Sequence, residues 1–563
     1  MKQPLFFLFL LCANAAFIQK TAAQNSTDTK TVDKGKLSGN AQLVYNFFDR
    51  DPTIGAADNP LYDKVLSGGA SWLNLTYVQG TFEVGVRVDA FLNANIHLPQ
   101  TPYSEQGIGT FYIRKKIDKL DLTGGYFYEQ FGSGVPLRAY EDRSLGIDNA
   151  IFGAKASYAL SDRWNVKALA GVQKNLFKFY APTIKGFNIE GSIGVKDSAK
   201  GTEVLTFIPG ASVVNRTIDL ATMNNIVTTI NALPLEQRFI PKYNTYVFQG
   251  YNTIQYKGVS LYTEYNYKTN EGINDLSGNL VDKAGTTAFG TLGYSRRGFG
   301  VTAQYKRTEN FALRTSPEER LLRGMVSFSP PVSRQNSMRL PARYVAAAQE
   351  ISEQSAQLDL IYSPKDELTF NTNISNMTDL NGQQLFREFY QDVTINKGKN
   401  EWQAGFQLID YNIDFFQGKA GAPQVRTFTP FVEYTRRLSR KQSLRFEAQY
   451  MVTDRDHQLF SFINKDAANR PLEKQDFGDW AFALAEFNIA PHWSFAISDM
   501  YNIKSTKPNL AQHYPTIFTA YTRKTTRFTL AYAKQVEGVV CTGGVCRFEP
   551  AFSGVRFGMT TSW

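Results

Sequence analysis

From Thr81 the chain continues Phe-Glu-Val-Gly-Val-Arg-Val-Asp-Ala. In an extended strand, Phe82, Val84, Val86, Val88 and Ala90 share one face, and Glu83, Gly85, Arg87 and Asp89 share the other. A sandwich core built on this strand would strand those charges, so a soluble sandwich is a poor host for it. The alternation recurs at Leu120 to Glu129 and at Val259, Leu261, Tyr265 and Tyr267 against Ser260, Glu264 and Lys268. It returns at Leu444, Phe446, Ala448, Tyr450 and Val452 against Arg445, Glu447 and Gln449, and at Phe528, Leu530 and Tyr532 against Arg527, Thr529 and Ala531. The last eleven residues repeat it, with Val555, Phe557, Met559 and Trp563 opposed to Gly554, Arg556, Gly558, Thr560 and Ser562. A transmembrane barrel strand has this form, with its apolar side toward lipid, its small or polar side toward the lumen and a closing aromatic at the interface.

The connections support a barrel because short and long ones alternate. Short turns are expected at Gln79-Gly80, Ser161 to Arg163, Lys257-Gly258, Arg297-Gly298, Pro364 to Asp366, Ser439 to Lys441, Ala490 to His492 and Arg523 to Thr525. Long segments are expected at 49–66, 131–147, 215–242, 271–284, 311–350, 457–476 and 538–552. An up-and-down antiparallel barrel of roughly 24 strands (range roughly 22–26) follows, the first at 37–48 and the last at 553–563. Its thinnest stretches are 185–195 and 200–214, where Gly, Lys and Pro209 dilute the pattern. An even number puts both termini on one side, the periplasm.

Residues 1–23 read as a signal peptide: Lys2, an apolar run from Leu5 to Leu11, and Thr21-Ala22-Ala23 before Gln24. Residues 24–36 are a polar tail without an apolar core, and 37–563 form one barrel domain with no internal linker rich in Pro, Ser or Gly. No plug domain is expected ahead of the first strand. Aromatics make up 14% of the chain, yet no stretch after residue 23 could form a spanning helix. The formal charge of +10 is mild and dispersed, which argues against nucleic acid and suits outer-membrane lipid and lipopolysaccharide as surroundings. Cys541 and Cys546 flank Thr542-Gly543-Gly544-Val545, and in an oxidising compartment this spacing predicts a disulfide at a hairpin tip.

Barrels this wide enclose water or their own loops. Glu83, Arg87, Asp89, Glu264, Lys268, Arg445 and Glu447 are the expected lumen-lining charges. Residues 217–232 carry Ile218, Met223, Ile226, Val227 and Ile230 near one helical face, which predicts a short loop helix. Segment 311–350 brings Arg314, Arg320, Arg323, Arg334, Arg339 and Arg343. These arginines either fold inward to meet acidic lumen residues and occlude the pore, or face outward to lipopolysaccharide phosphates. Between Phe131 and Asn149, Arg138, Glu141, Asp142, Arg143 and Asp148 are expected to form an ion-pair network that fixes the loop in the lumen, with ligand binding as the alternative.

Several stretches together carry a resemblance: Phe131-Gly-Ser-Gly134, Leu137 to Asn149, Gly478 to Phe487, Pro491-His-Trp493 and Cys541 to Arg547. Over most of the mature chain the sequence resembles a family of Bacteroidota outer-membrane proteins known only as a domain of unknown function. The resemblance implies an outer-membrane protein and assigns no catalytic or binding residue. Hydrolase, zinc and P-loop motifs are missing, and His97, His457, His492 and His513 are scattered, so neither an enzyme, a metal nor a cofactor is expected. A rim histidine with an acid, such as His457 with Asp454 or Asp456, is a geometric opening for a barrel hydrolase. The expected role is porin-like or gated passage of a hydrophilic or amphipathic solute, the alternative a plugged structural barrel in an outer-membrane assembly.

Overall fold

The computed structural model describes residues 35–57, 65–96, 101–196, 203–275, 278–348, 350, 352–418, 424–453, 478–503, 513–542 and 545–563. The signal-peptide reading of 1–23, residues 24–34 of the expected tail, His97, Asp454, Asp456, His457 and the 457–476 segment lie outside them. The alternating stretches form antiparallel strands, each hydrogen-bonded to the next. The first strand, Lys36–Phe48, pairs with the last, Phe552–Ser562, from Asn40 opposite Ser562 to Phe48 opposite Gly554. Closure leaves no free edge, so the wall satisfies its backbone groups internally, as strands crossing lipid must.

The closed sheet contains 25 extended segments. Two of them, Lys178–Gly191 and Ile193–Lys196, are parts of one strand interrupted at Ser192, because both pair with Glu203–Thr217. The barrel therefore has 24 strands. The two dilute stretches are part of the wall, and Pro209 sits opposite Asn252 without a shift of register.

One rim carries tight turns. Lys257 and Gly258 both adopt positive φ, 45° and 89°, as a two-residue hairpin turn of the I′ type requires. Both chain ends meet this rim: Lys36 lies opposite Val78, and Gly39 and Trp563 exchange two backbone hydrogen bonds of 3.0 Å. Aromatic pairs sit just above the turns, including Trp402 with Tyr434 (ring centroids 4.1 Å apart) and Trp493 with Tyr521 (4.6 Å). Ile108, Ile113, Phe248, Ile497, Ile517 and Leu530 remain exposed. An aromatic ring bordering an apolar outer surface is the physical signature of a barrel seated in a bilayer.

The opposite rim carries the longer connections, with two departures from the sequence reading. The expected long segment 271–284 shrinks to 275–279, because Val259–Asn274 and Leu280–Arg296 extend into it. Its polar residues belong to the strand, Glu271 meeting Lys268 and Arg216. Leu176 and Phe177 alone join the strands Trp164–Asn175 and Lys178–Gly191 on this rim. The loop helix is present as Leu220–Asn231, capped by Asp219, whose carboxylate accepts from Ala221 N at 3.0 Å. Met223, Ile226 and Ile230 pack with Ile218, Leu280 and Phe239, whereas Val227 is exposed.

Candidate functional site: the filled lumen

Two connections from the long-loop rim fold back into the barrel. The first, 128–150, buries Phe131, Val135 and Leu137 against the wall residues Leu169, Ile184, Val214 and Val247, and against Phe311, Leu313 and Val326 of the second. Gly132 has φ of 52° and packs so closely on Gln249 that a Cβ would collide with it. The neighbouring amide of Ser133 donates to Glu264 at 3.0 Å, and Gln249 and Asn266 donate to the same carboxylate at 2.8 and 2.7 Å. Glu264 therefore acts as an anchor for this segment.

Further along, Arg87 is the hub of an ion-pair network. Its guanidinium reaches Asp89 at 2.6 Å, Glu141 at 3.1 Å and Asp148 at 2.5 Å. Lys174 closes the ring through Asp148 and lies 3.7 Å from Asp89, and Arg143 joins through Glu141 at 2.7 Å. Two of the five loop residues expected in the network stand apart from it. Arg138 stacks on Phe328 (3.9 Å to the ring centroid) and Tyr140 (4.5 Å), because its nearest neighbours are rings. Asp142 accepts from Ser144 N at 2.9 Å and Leu145 N at 3.1 Å, closing its own turn.

Burial by itself would raise the Asp148 carboxyl. Lys174 and Arg87 outweigh it and hold the group at about 2, below the usual 3.8. A depressed folded-state value gives stabilisation that is complete above the unfolded value and is lost as pH falls through the folded one. The 128–150 segment should thus stay docked at pH 4 and loosen only toward pH 2, with Asp148→Asn loosening it at neutral pH. Protease cleavage within 128–150 across that range checks this; cleavage that begins at pH 5 in the wild type would contradict it.

The second inward segment, 310–350, is held along its length by wall side chains. Lys268 donates to Ala312 O at 3.0 Å, Arg216 to Arg314 O at 2.9 Å, Gln173 to Met325 O at 2.7 Å and Lys306 to Pro330 O at 2.5 Å. Across the barrel, Leu340 N donates to Gln449 at 2.7 Å, and Gln407 donates to Pro341 O at 3.2 Å. Leu340 and Tyr344 pack into an apolar cluster with Met377, Phe386, Tyr411, Trp480 and Phe552. Loop carbonyls buried in this way need such donors, and the wall supplies them.

Arg314, Arg320 and Arg323 do not pair with the lumen acids. Arg314 pairs with Glu350 of its own segment at 2.8 Å and donates to Leu321 O and Arg323 O. Arg320 and Arg323 are exposed, Arg320 donating to Asn274 at 3.4 Å. Wall cations engage several of those acids: Arg216 and Lys268 take Glu271, and Lys306 takes Glu353. Arg445 likewise reaches Glu433 at 2.8 Å and Glu447 at 2.6 Å. Glu83 accepts from Tyr112 at 2.5 Å. Sequence reasoning passed over Arg216, Glu271, Lys306, Glu353 and Lys174. The available signal was a charge on the polar side of an otherwise apolar strand.

Between the network, the strands at the barrel's closure and the tip of 310–350 lies a cavity of about 610 Å³. Trp72, Phe91 and Phe552 line it along with the charges. Above it stands a hairpin, Gly538–Thr542 with Val545–Glu549, in which Cys541 faces Cys546 across the ribbon. Arg547 donates to Ile96 O at 3.1 Å, and Asn95 to Glu549 at 3.3 Å, so the hairpin leans on the 95–96 connection.

Of the described histidines, His513 lies 2.6 Å from Asp499 and stacks on Tyr501, exposed near the long-loop rim. His492 sits in a short turn against Thr522 O at 2.8 Å. Among the described residues no group of three His, Cys, Asp or Glu side chains is placed to hold a metal ion.

Among solved structures, the copper transporter OprC is similar at 8% identity, over 95% of this chain and 82% of that one, with a TM-score of 0.41. The siderophore receptor PirA from Pseudomonas aeruginosa is similar at 8% identity over 96% and 81%, with a TM-score of 0.38. OccK5 (OpdH) of Pseudomonas aeruginosa is similar at 12% identity over 84% and 98%, with a TM-score of 0.32. No curated protein matches the chain in sequence. A family model does match, across residues 1–563, and the chain belongs to that family of unknown function, DUF6029.

Proposed function

We propose that the protein is a gated passage through the outer membrane for a small hydrophilic or amphipathic solute, held shut by its own inward segments. The observation that carries this reading is the charged cavity of about 610 Å³ inside a barrel whose filling is pinned by hydrogen bonds and ion pairs. Polar fastenings of this kind exchange with water at modest net cost, so a filling held by them is one that can be displaced. The shared rim of short turns and chain ends supports a periplasmic position for both termini, and the longer rim would meet lipopolysaccharide.

The apolar cluster around Leu340 and Tyr344 favours a second reading, a permanently plugged barrel serving an assembly. Single-channel conductance of the whole protein in a planar bilayer, beside a variant lacking 311–350, separates the two. Transient openings of the intact protein support passage. A wild type silent under every voltage and salt condition, opening only on deletion, supports the plug.

Oxidation of Cys541 with Cys546 is part of the same proposal, since opposed positions on a ribbon bring two Cβ atoms within disulfide reach. Both cysteines should resist maleimide labelling until reduced. Free labelling of the untreated protein would remove the bond from the account.

A further inference from the structure

Among the cavities and charge clusters of the barrel, the one beneath the 538–549 hairpin has an unbalanced wall. Six cationic side chains line it against four carboxylates. The acids are engaged: Asp89, Glu141 and Asp148 by Arg87, Arg143 and Lys174, and Glu549 by Arg547. Arg339, at the tip of the 310–350 segment, is different. It is exposed, lines the cavity, and no described carboxylate pairs with it. A charged group acting on it from its own segment is another cation, Arg343. Arg343 does not relieve this, since its guanidinium lies over Trp480, 4.2 Å from the ring centroid.

The rest of the wall completes a binding surface. Trp72 and Phe91 meet edge to face at 6.0 Å on one side, and Phe552 lies on another. The volume falls within the ordinary range for small-ligand sites, roughly 300–1,000 Å³, which join an apolar lining to a few polar groups.

We propose that this cavity binds a small organic anion, its carboxylate or phosphate group on Arg339 and its planar or apolar body against Trp72, Phe91 and Phe552. The assignment rests on the passage reading only in naming the class of solute; the site itself stands on the cavity. A bound anion supplies the counter-charge that Arg339 lacks, and it does so in a space partly shielded from salt. Because Arg339 belongs to the inward segment, the ligand also touches the element that fills the lumen.

The test is isothermal titration of the full-length protein in detergent with phenyl phosphate, benzoate and, as the cationic control, benzylammonium. Saturable binding of an anion that weakens with added salt is expected, with no binding of benzylammonium. Arg339→Gln should weaken the anion about tenfold or more, the loss of one charge-assisted pair, and Arg339→Lys should restore part of it. Heat-modifiable gel migration confirms that each variant is a folded barrel. Absence of saturable anion binding, equal binding of benzylammonium, or unchanged affinity in a folded Arg339→Gln protein would overturn the assignment. Because the titration needs no membrane, a silent bilayer counts against passage and leaves the site standing.

Discussion

Deleting residues 311–350 and joining Asn310 to Ile351 through a short Gly-Ser linker is expected to raise single-channel conductance on the order of tenfold or more, since a barrel of this strand number has a wide lumen once unfilled. The closed ladder from Lys36–Phe48 round to Phe552–Ser562 does not pass through the segment, so the wall should survive its removal. What is lost is the packing of Phe311, Leu313 and Val326 on the first inward segment and of Leu340 and Tyr344 on the far wall. Planar-bilayer recordings check the outcome, with heat-modifiable migration to show that the barrel has formed. Conductance equal to the wild type would mean that 128–150 alone closes the lumen, or that ions already pass beside 310–350.

The second large effect concerns Lys306 and Glu353, which form an ion pair with both side chains 0% exposed. Lys306 also donates to Ser329 at 2.9 Å and to Pro330 O, so the pair fastens the wall to the middle of the inward segment. Removing one partner leaves an uncompensated buried charge, which typically costs about 3–5 kcal/mol. Lys306→Ala should therefore lower the temperature of barrel unfolding on gels and expose 310–350 to protease. The double variant Lys306→Met with Glu353→Gln should recover much of the stability while leaving the segment looser, because charge is gone but the carbonyl of Pro330 has lost its donor. A single variant as stable as the wild type would show that water reaches the pair.

Much of the wall was legible because a lipid-spanning strand must alternate, and stretches such as Phe82 to Ala90 have no other use for their pattern. The interruption at Ser192 and the extension of the strands past Glu271 were not legible, since local polarity says nothing about whether a partner charge waits across the lumen. The filling was harder still. In 311–350 the arginines drew the eye, yet the apolar residues between them carry the inward fold: Phe311, Leu313, Val326, Leu340 and Tyr344 have no reason to face water or lipopolysaccharide. Arg138 shows the same limit. A charge between Leu137 and Tyr140 reads as half of an ion pair until Phe328, nearly two hundred residues away, is placed beneath it.

The inward segment is spliced into the wall at both ends, and this fixes an order of assembly. Its first half can dock on strands that precede it, but Leu340 waits for Gln449, 109 residues later, and for Trp480 and Phe552 beyond that. These contacts need the later strands in place, so the tip of the segment cannot dock fully before them. The last fastening of the lumen therefore comes with the closing strand, whose Phe552 completes the cluster that holds the tip of 310–350.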